Sequence, residues 1–380
     1  MSGFLRKLHT NTSSGMDWLL VCAIIPLVGS GLITMKSFVG EGLYFEKQLL
    51  WIGISFAIFF ILSNFDFRFL RRTDVLVTLF LSFMGILLVL FILGSTVKGA
   101  QSWFSFGGFA FQPSDMTKLV VILVLAKYFS RRHVEIAHVR HLFVSALYAF
   151  IPFFLVFLQP DFGSAMIIFF IWLGMTLVSG ISKKHLSIVF GLGVVAFVSL
   201  WIFVFQPYQK ARIANFLNPY ADIRGTGYNA YQSTIAVGSG QFLGKGVGYG
   251  TQSRLQFLPE YETDFIFAAF AEEWGFVGVI LLFICYGIVV WRILATASLG
   301  VTNFEMLFGM GVAIYLRSHF VINVGMNIGI MPVTGITLPF VSYGGSHLLT
   351  TFTALGILMG MRKYRLSTHR DSMKNEFLGI

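Results

Sequence analysis

Leu258 to Trp291 reads LPEYETDFIFAAFAEEWGFVGVILLFICYGIVVW. Three carboxylates, Glu260, Glu262 and Asp264, stand within its first seven residues. An apolar run of 28 residues, 264–291, follows. At about 1.5 Å per helical residue that run outreaches a hydrocarbon core of about 30 Å. Glu272 and Glu273 lie two to three turns inside it. Charge beside or within a membrane span is costly and rare, so each of these carboxylates needs a partner or a task.

The rest of the chain repeats the pattern. Only 12% of its 380 residues are charged and 56% are hydrophobic; the mean hydropathy is +0.78. Apolar runs fall at 16–35, 48–63, 74–94, 114–130, 142–158, 162–180, 185–206, 264–291, 304–328 and 333–361. The expectation is an all-α, polytopic integral membrane protein of about ten transmembrane helices, forming one membrane domain over 1–380. No stretch has the mixed composition of a large soluble domain. The first run is too long for a signal-peptide core and reads as an uncleaved span. Cys22 and Cys285 both sit in apolar runs and read as small packing residues.

A net charge of +10 would suit nucleic acid if it were spread over one surface. Here it is gathered into short clusters between apolar runs: Arg68/Arg71/Arg72, Arg131/Arg132/Arg140, Lys183/Lys184 and Arg362/Lys363/Arg365. These mark cytoplasmic loops and contacts with anionic headgroups, not nucleic acid. With ten spans, the N-terminus, the loops after spans 2, 4, 6 and 8, and the C-terminus all fall on one side. Both termini are expected to be cytoplasmic. The longest loop, about 207–263, is then extracytoplasmic and carries Lys210, Arg212, Arg224, Lys245 and Arg254. Long loops in compact domains are usually functional.

Several motifs stand on this frame. Gly225–Gly250 holds eight glycines in 26 residues. It lacks the G-x-x-x-x-G-K-[ST] order of a phosphate loop, and the glycines serve tight turns, close approach to the membrane surface, or a substrate-facing loop. His133, His138 and His141 cluster without a metal-binding order and read as surface histidines. Gln112-Pro113-Ser114-Asp115-Met116-Thr117-Lys118 opens span 4; Asp115 and Lys118 share a face and can pair, or Lys118 can meet an anionic ligand. Asp161, after Gln159-Pro160, suits a helix cap or a cavity shared with Asp264. Pro332–Ser346 breaks an apolar run twice, which implies a re-entrant or cavity-lining stretch. Arg317, inside span 9, is an expected ion partner for Glu272 and Glu273.

These residues carry a resemblance. FQPSDMTK (111–118), QPDFGSA (159–165), NPYADIRGTGYNAYQSTIAVGSGQFLGKG (218–246), LPEYETDFIFAAFAEEWGFVG (258–278) and NVGMNIGIMPVTGITLPFVSYGGS (323–346) run in order through most of the chain. Together they resemble the SEDS family (shape, elongation, division and sporulation), most of all its elongation members. The pattern departs from the family at Ser102, Asp115 and Gln256.

The resemblance implies a ten-helix peptidoglycan glycosyltransferase of the bacterial plasma (inner) membrane that polymerises lipid II in cell-wall elongation and rod-shape maintenance. It implies a class B penicillin-binding protein as transpeptidase partner, with other elongation-complex proteins. Asp264 maps to the catalytic candidate; Lys118, Asp115 and Asp161 map to the family's other functional positions. Such a transfer needs a base at the acceptor hydroxyl and positive charge at the departing pyrophosphate. Asp264 suits the first, Lys118 and Arg212 the second, with Glu260 as a substrate-binding or tuning neighbour. A divalent cation (Mg or Mn) on Glu260, Glu262 and Asp264 could share the work. The alternatives are a lipid II flippase and a scaffold.

Overall fold

In hydrocarbon a backbone must satisfy its own N–H and C=O groups, so apolar runs of this length become helices. The computed structural model describes residues 16–37, 43–97, 100–106, 109–131, 139–218, 222, 225 and 227–378. Long helices stand over all the expected runs. They are α1 (Trp18–Ser37), α2 (Leu43–Leu62), α3 (Thr73–Leu93), α4 (Pro113–Ser130), α5 (Val139–Leu158), α6 (Phe162–Val178), α7 (Lys183–Phe203), α11 (Ile266–Ala297), α12 (Asn303–Asn327) and α13 (Gly345–Leu378). Seven of the described helices are long and apolar enough to cross a membrane by length and composition. Of the others, α6 is apolar but has 17 residues, and α4 carries Asp115, Lys118 and Lys127.

The central element is α12, packed against α4, α6 and α11; α1 lies on α11 and α13 on α2. Ile122, Ile168, Met175, Phe308, Val312, Leu316, Phe352 and Leu355 fill the middle and are all but inaccessible. At one end of the bundle, Asp17 accepts from Arg292 at 2.6 Å and pairs with Arg362 at 2.7 Å. Nearby, Glu305 pairs with Arg71 and accepts the Val301 N–H.

The structure differs from the expectation in five places. The first is the all-α class. Among the described residues, β1 (Ser95–Val97), β2 (Ala100–Phe106) and β3 (Phe109–Phe111) form a small antiparallel sheet, with Phe104 opposite Phe111 and Phe106 opposite Phe109. Aromatic and β-branched residues favour extended pairing over helix. Secondly, 207–263, expected as a long loop, is partly helical among the described residues. It folds into α8 (Pro207–Leu217), α9 (Tyr228–Ser239) and a turn of helix, α10 (Thr251–Arg254). Pro207 occupies the first helical position of α8, and the Gln209 side chain accepts the Gln206 N–H at 2.9 Å, as a capping box does.

Thirdly, the last span begins at Gly345, twelve residues later than the apolar run. Residues 328–344 are irregular yet pass through the bundle, with Leu338 and Val341 fully buried. Such backbone survives only when protein supplies its hydrogen bonds. Here Gln48 Nε2 donates to the Ser342 carbonyl at 3.1 Å, Asn323 to the Ile336 carbonyl at 2.6 Å and His319 Nδ1 to the Thr337 carbonyl at 3.3 Å. Fourthly, Arg317 is exposed on the outer surface of α12, so it does not serve Glu272 or Glu273. Lastly, His141 is buried, 3.0 Å from the Tyr128 hydroxyl, and is not a surface histidine. His133, His138 and Arg224 lie outside the described residues.

The glycine-rich segment has a local cause. Helix α11 breaks at Gly275, whose φ is +65°. The break frees backbone groups, and residues 241–246 dock on them as a strand would. Phe276 and Val277 N–H donate to the Gln241 and Phe242 carbonyls at 2.9 and 3.1 Å; Lys245 and Gly246 N–H donate to the Glu272 and Glu273 carbonyls, both at 3.0 Å. A Cβ on Gly275 would meet the Gly244 nitrogen at 2.2 Å. The close approach seen here is of loop backbone to the α11 backbone, which the sequence readings of these glycines did not include.

Candidate active site

Three consecutive main-chain carbonyls fix the acidic segment ahead of α11. Tyr343 N–H donates to the Glu262 carbonyl at 2.8 Å, and the Ser342 hydroxyl to the Thr263 carbonyl at 2.7 Å. Asn323 and Asn327 donate to the Asp264 carbonyl at 2.9 and 3.0 Å. Ser342 is itself oriented by the Leu338 N–H at 2.7 Å. Residues 262–264 are therefore held by the irregular segment 338–343 and by α12. The half-buried Asp264 side chain lies against Gly335: a Cβ added there would be 3.5 Å from its Oδ2. Gly335 has a φ of +74°, so a side chain at this place is also disfavoured by the backbone.

Glu260 turns the chain with a φ of +55° and accepts the Thr263 hydroxyl at 3.1 Å. Burial, and then the Glu262 carboxylate, pushes the Tyr261 phenol up to about 12. Tyr261 thus stays protonated at neutral pH and can donate to that carboxylate. Among the described residues, no group of three His, Cys, Asp or Glu gathers as a metal-binding set. Glu260, Glu262 and Asp264, close in sequence, are not such a set.

Beside this segment a shallow cleft is lined by Phe162, Phe205, Gln209, Arg212, Ile213, Pro332, Val333 and Thr334. Its wall is apolar on the α6 and 332–334 sides, with the Arg212 guanidinium on α8 for an anion. Thr334 precedes Gly335, against which Asp264 lies, so the 332–334 wall of the cleft ends one residue from the Asp264 contact. Asp161 is next to Phe162 but its carboxylate is in use. It accepts Ser164 N–H at 3.0 Å as the cap of α6, Gln112 Nε2 at 2.7 Å and the Ser114 hydroxyl at 3.3 Å. It ties the 111–118 block to the 159–165 block at the cleft floor.

Asp115 and Lys118 form a second cluster inside the bundle. Lys118 Nζ donates to Asp115 Oδ1 at 2.8 Å, and both side chains are at most 5% exposed. The Ser346 hydroxyl donates to Asp115 Oδ2 at 2.9 Å, and His347 Nδ1 lies 3.8 Å from Oδ1. Tyr315 stands 3.1 Å from His347 Nδ1, and the His319 and His347 rings are 4.4 Å apart. The Asp115–Lys118 pairing is as the sequence suggested; its surround of Tyr315, His319, Ser346 and His347 is not. Sequence reasoning also missed Asn323 and Asn327. The signal was present: His319, Asn323 and Asn327 repeat every four residues and so share one stripe of an apolar helix. The family departures land on bonded positions: buried Ser102 donates to the Gln159 carbonyl at 3.3 Å, and Gln256 bonds the Tyr261 hydroxyl from a residue whose φ is +56°.

Comparison with known proteins agrees with this arrangement. The family model described as "Cell cycle protein", spanning FtsW, RodA and SpoVE, matches residues 15–367. Stage V sporulation protein E of Bacillus subtilis is 33% identical over 365 residues, covering 93% of this chain and 99% of that protein. Peptidoglycan glycosyltransferase MrdB of Escherichia coli K12 is 39% identical over 273 residues, 72% of this chain and 73% of that protein. Among solved structures, a chain of a peptidoglycan synthase complex that coordinates polymerization and crosslinking superposes with a TM-score of 0.80 at 30% identity, covering 92% of this chain and 98% of that one. The rod shape determining protein RodA of Thermus thermophilus gives a TM-score of 0.69 at 29% identity, covering 92% and 97%. The chain, with its helical bundle and its pinned acidic segment, belongs to the SEDS family of multi-pass membrane proteins.

Proposed function

We propose that this protein is a peptidoglycan glycosyltransferase that polymerises lipid II in the bacterial plasma membrane, in cell-wall elongation and rod-shape maintenance. One observation carries the reading: Asp264, pinned by its carbonyl, lies against Gly335, one residue from a cleft that pairs an apolar wall with Arg212. A polyprenyl-pyrophosphate sugar has the matching parts, an apolar tail and an anionic head. The ten-span topology with both termini cytoplasmic sets Asp264 on the outer face, where such precursors are used. The transpeptidase partner is a class B penicillin-binding protein, in company with other elongation-complex proteins; the synthase complex among the structural relatives supports a partnered enzyme.

In the reaction the acceptor sugar hydroxyl attacks the donor's anomeric carbon. The bond from that carbon to the pyrophosphate oxygen breaks and its electron pair leaves with the pyrophosphate. The hydroxyl proton passes to the Asp264 carboxylate, the general base. Arg212 meets the charge that develops on the leaving group. Asp115, paired with Lys118, accepts the Ser346 hydroxyl in the first turn of α13, just after the irregular segment 328–344. Glu260, Glu262 and Asp264 do not form a cation cage, so a divalent ion, where used, would enter on the pyrophosphate, as Mg²⁺ commonly does.

The test is polymerisation of lipid II by the purified chain in detergent, with and without the transpeptidase. Long glycan is expected from the wild type, with a loss on the order of 10²–10⁴-fold in Asp264→Asn at unchanged melting temperature. Unchanged glycan synthesis by that variant would overturn the assignment. A flippase would make no glycan in the absence of two compartments.

A further inference from the structure

Asp264 is two residues ahead of the first helical residue of α11, Ile266, and the N-cap position is Phe265, which has no side-chain acceptor. The first-turn N–H groups of a helix lack intrahelical partners, and a serine or aspartate at the N-cap would normally accept from the second or third of them. Here the Ala268 N–H, which also donates to the Phe265 carbonyl at 3.1 Å, finds a second acceptor on another helix. Asn327 Oδ1 accepts the N–H of Ala268, the third helical residue, at 3.2 Å. The Nδ2 of the same amide donates to the Asp264 carbonyl at 3.0 Å. One side chain of α12 thus caps α11 and grips the peptide that bears the carboxylate.

Asn323 adds the second grip, donating to the Asp264 carbonyl at 2.9 Å. It also donates to the Ile336 carbonyl at 2.6 Å, beside Gly335, on which the Asp264 carboxylate rests. The backbone of Asp264 and the surface beneath its carboxylate are therefore tied to a single amide. Both asparagines are fully buried, so neither can touch substrate. A polar side chain in an apolar helix is costly unless its partners are met. Each of the two gives one donor to the carbonyl of Asp264; Asn323 gives the other to the Ile336 carbonyl and Asn327 to the Asn323 carbonyl at 2.8 Å.

We propose that Asn323 and Asn327 are positioning residues that set the Asp264 carboxylate for proton abstraction; this rests on the reading of Asp264 as the base. With the carbonyl of 264 gripped by both amides and the N–H of 268 accepted by Asn327, the backbone that carries the Asp264 carboxylate is held in place. Asn→Asp is the informative substitution. It keeps the shape and the acceptor of each amide while replacing the donor that faces the Asp264 carbonyl. Ser233→Ala is the control: it removes the hydroxyl that donates to Asn327 Oδ1 at 3.2 Å and to the Asn327 carbonyl at 2.9 Å but leaves both bonds to Asp264.

Initial rates of lipid II polymerisation would be measured on the purified full chain, alongside melting by tryptophan fluorescence. Asn327→Asp and Asn323→Asp should each lower kcat on the order of 10²-fold, the effect of displacing a reacting group by about one ångström, with KM little changed. Ser233→Ala should keep kcat within about twofold, and in an Asp264→Asn background neither asparagine substitution should lower the residual rate further. Should either aspartate variant fail to fold, Asn323→Ser, which keeps a donor of smaller reach, serves instead, with a lowered kcat at wild-type melting temperature expected. An inactive Asp264→Asn beside asparagine variants at the wild-type kcat would overturn this inference alone. So would an equal kcat loss in Ser233→Ala. A fully active Asp264→Asn would overturn the base assignment and this inference with it.

Discussion

Asp264 and Glu272 stand eight residues apart on the same stretch of chain, and the structure treats them in opposite ways. Glu272 is fully buried, and its carboxylate accepts from Lys245 Nζ at 2.7 Å, Thr251 N–H and hydroxyl at 2.9 Å, Gln252 N–H at 3.1 Å and the Ser239 hydroxyl at 3.3 Å. It is a staple that fastens 239–252 to α11. Asp264 is fastened through its main chain, while its half-buried carboxylate lies against Gly335, one residue from the cleft wall. A carboxylate saturated by donors contributes structure. One whose residue is positioned through its main chain can be set in place for chemistry. The same logic sorts Asp161, which caps α6 and binds two further donors, with Glu272.

The largest effect that can break the comparison lies at a third carboxylate, Asp115. Lys118→Ala would leave Asp115 buried with Ser346 and His347 but without its cation. Removing one partner of a buried pair costs about 3–5 kcal/mol, so the variant should melt well below the wild type, and Lys118→Ala combined with Asp115→Ala should recover part of the loss. A wild-type melting temperature together with lost polymerisation would instead place Lys118 on the substrate. Glu272→Gln comes next. It keeps the size and one acceptor but loses the charge that gathers five donors, which should cost on the order of 2–3 kcal/mol. Limited proteolysis should then cut within 240–257 first, and polymerisation by the intact fraction should persist. Wild-type proteolytic resistance would make Glu272 a passive carboxylate and remove the contrast with Asp264.

Much of this was legible in the sequence because membrane helices obey a one-dimensional rule. Apolar length alone located every long helix to within a few residues except the last. That exception is instructive: Pro332–Ser346 is as apolar as a span, yet its prolines and glycines bar a helix, and side chains from distant helices satisfy its backbone. Hydropathy cannot see those bonds. Asp264 and the Asp115–Lys118 pair were also legible, the first from charge at the edge of a span and the second from i,i+3 spacing. The fate of Glu272 was not. Its partner, Lys245, is 27 residues earlier and is brought close by the backbone break at Gly275, which no helical periodicity foretells.

The smallest expected effect tests which cation serves Glu272. By spacing along apolar helices Arg317 was the natural partner, but it is exposed on α12, while Lys245 Nζ reaches Glu272 with its own side chain 30% exposed. A partly solvated lysine bonded to a buried carboxylate should contribute about 1 kcal/mol, and its loss leaves Glu272 with four other donors. Lys245→Ala should therefore lower stability slightly, and Arg317→Leu should leave the isolated chain within about 0.5 kcal/mol of the wild type, as exposed substitutions do. Thermal melts of the two variants in one detergent decide between them. A larger loss in Arg317→Leu than in Lys245→Ala would restore the interhelical pair read from the sequence and make Glu272 a bundle tie. The reverse order leaves it as the anchor of the 239–252 segment.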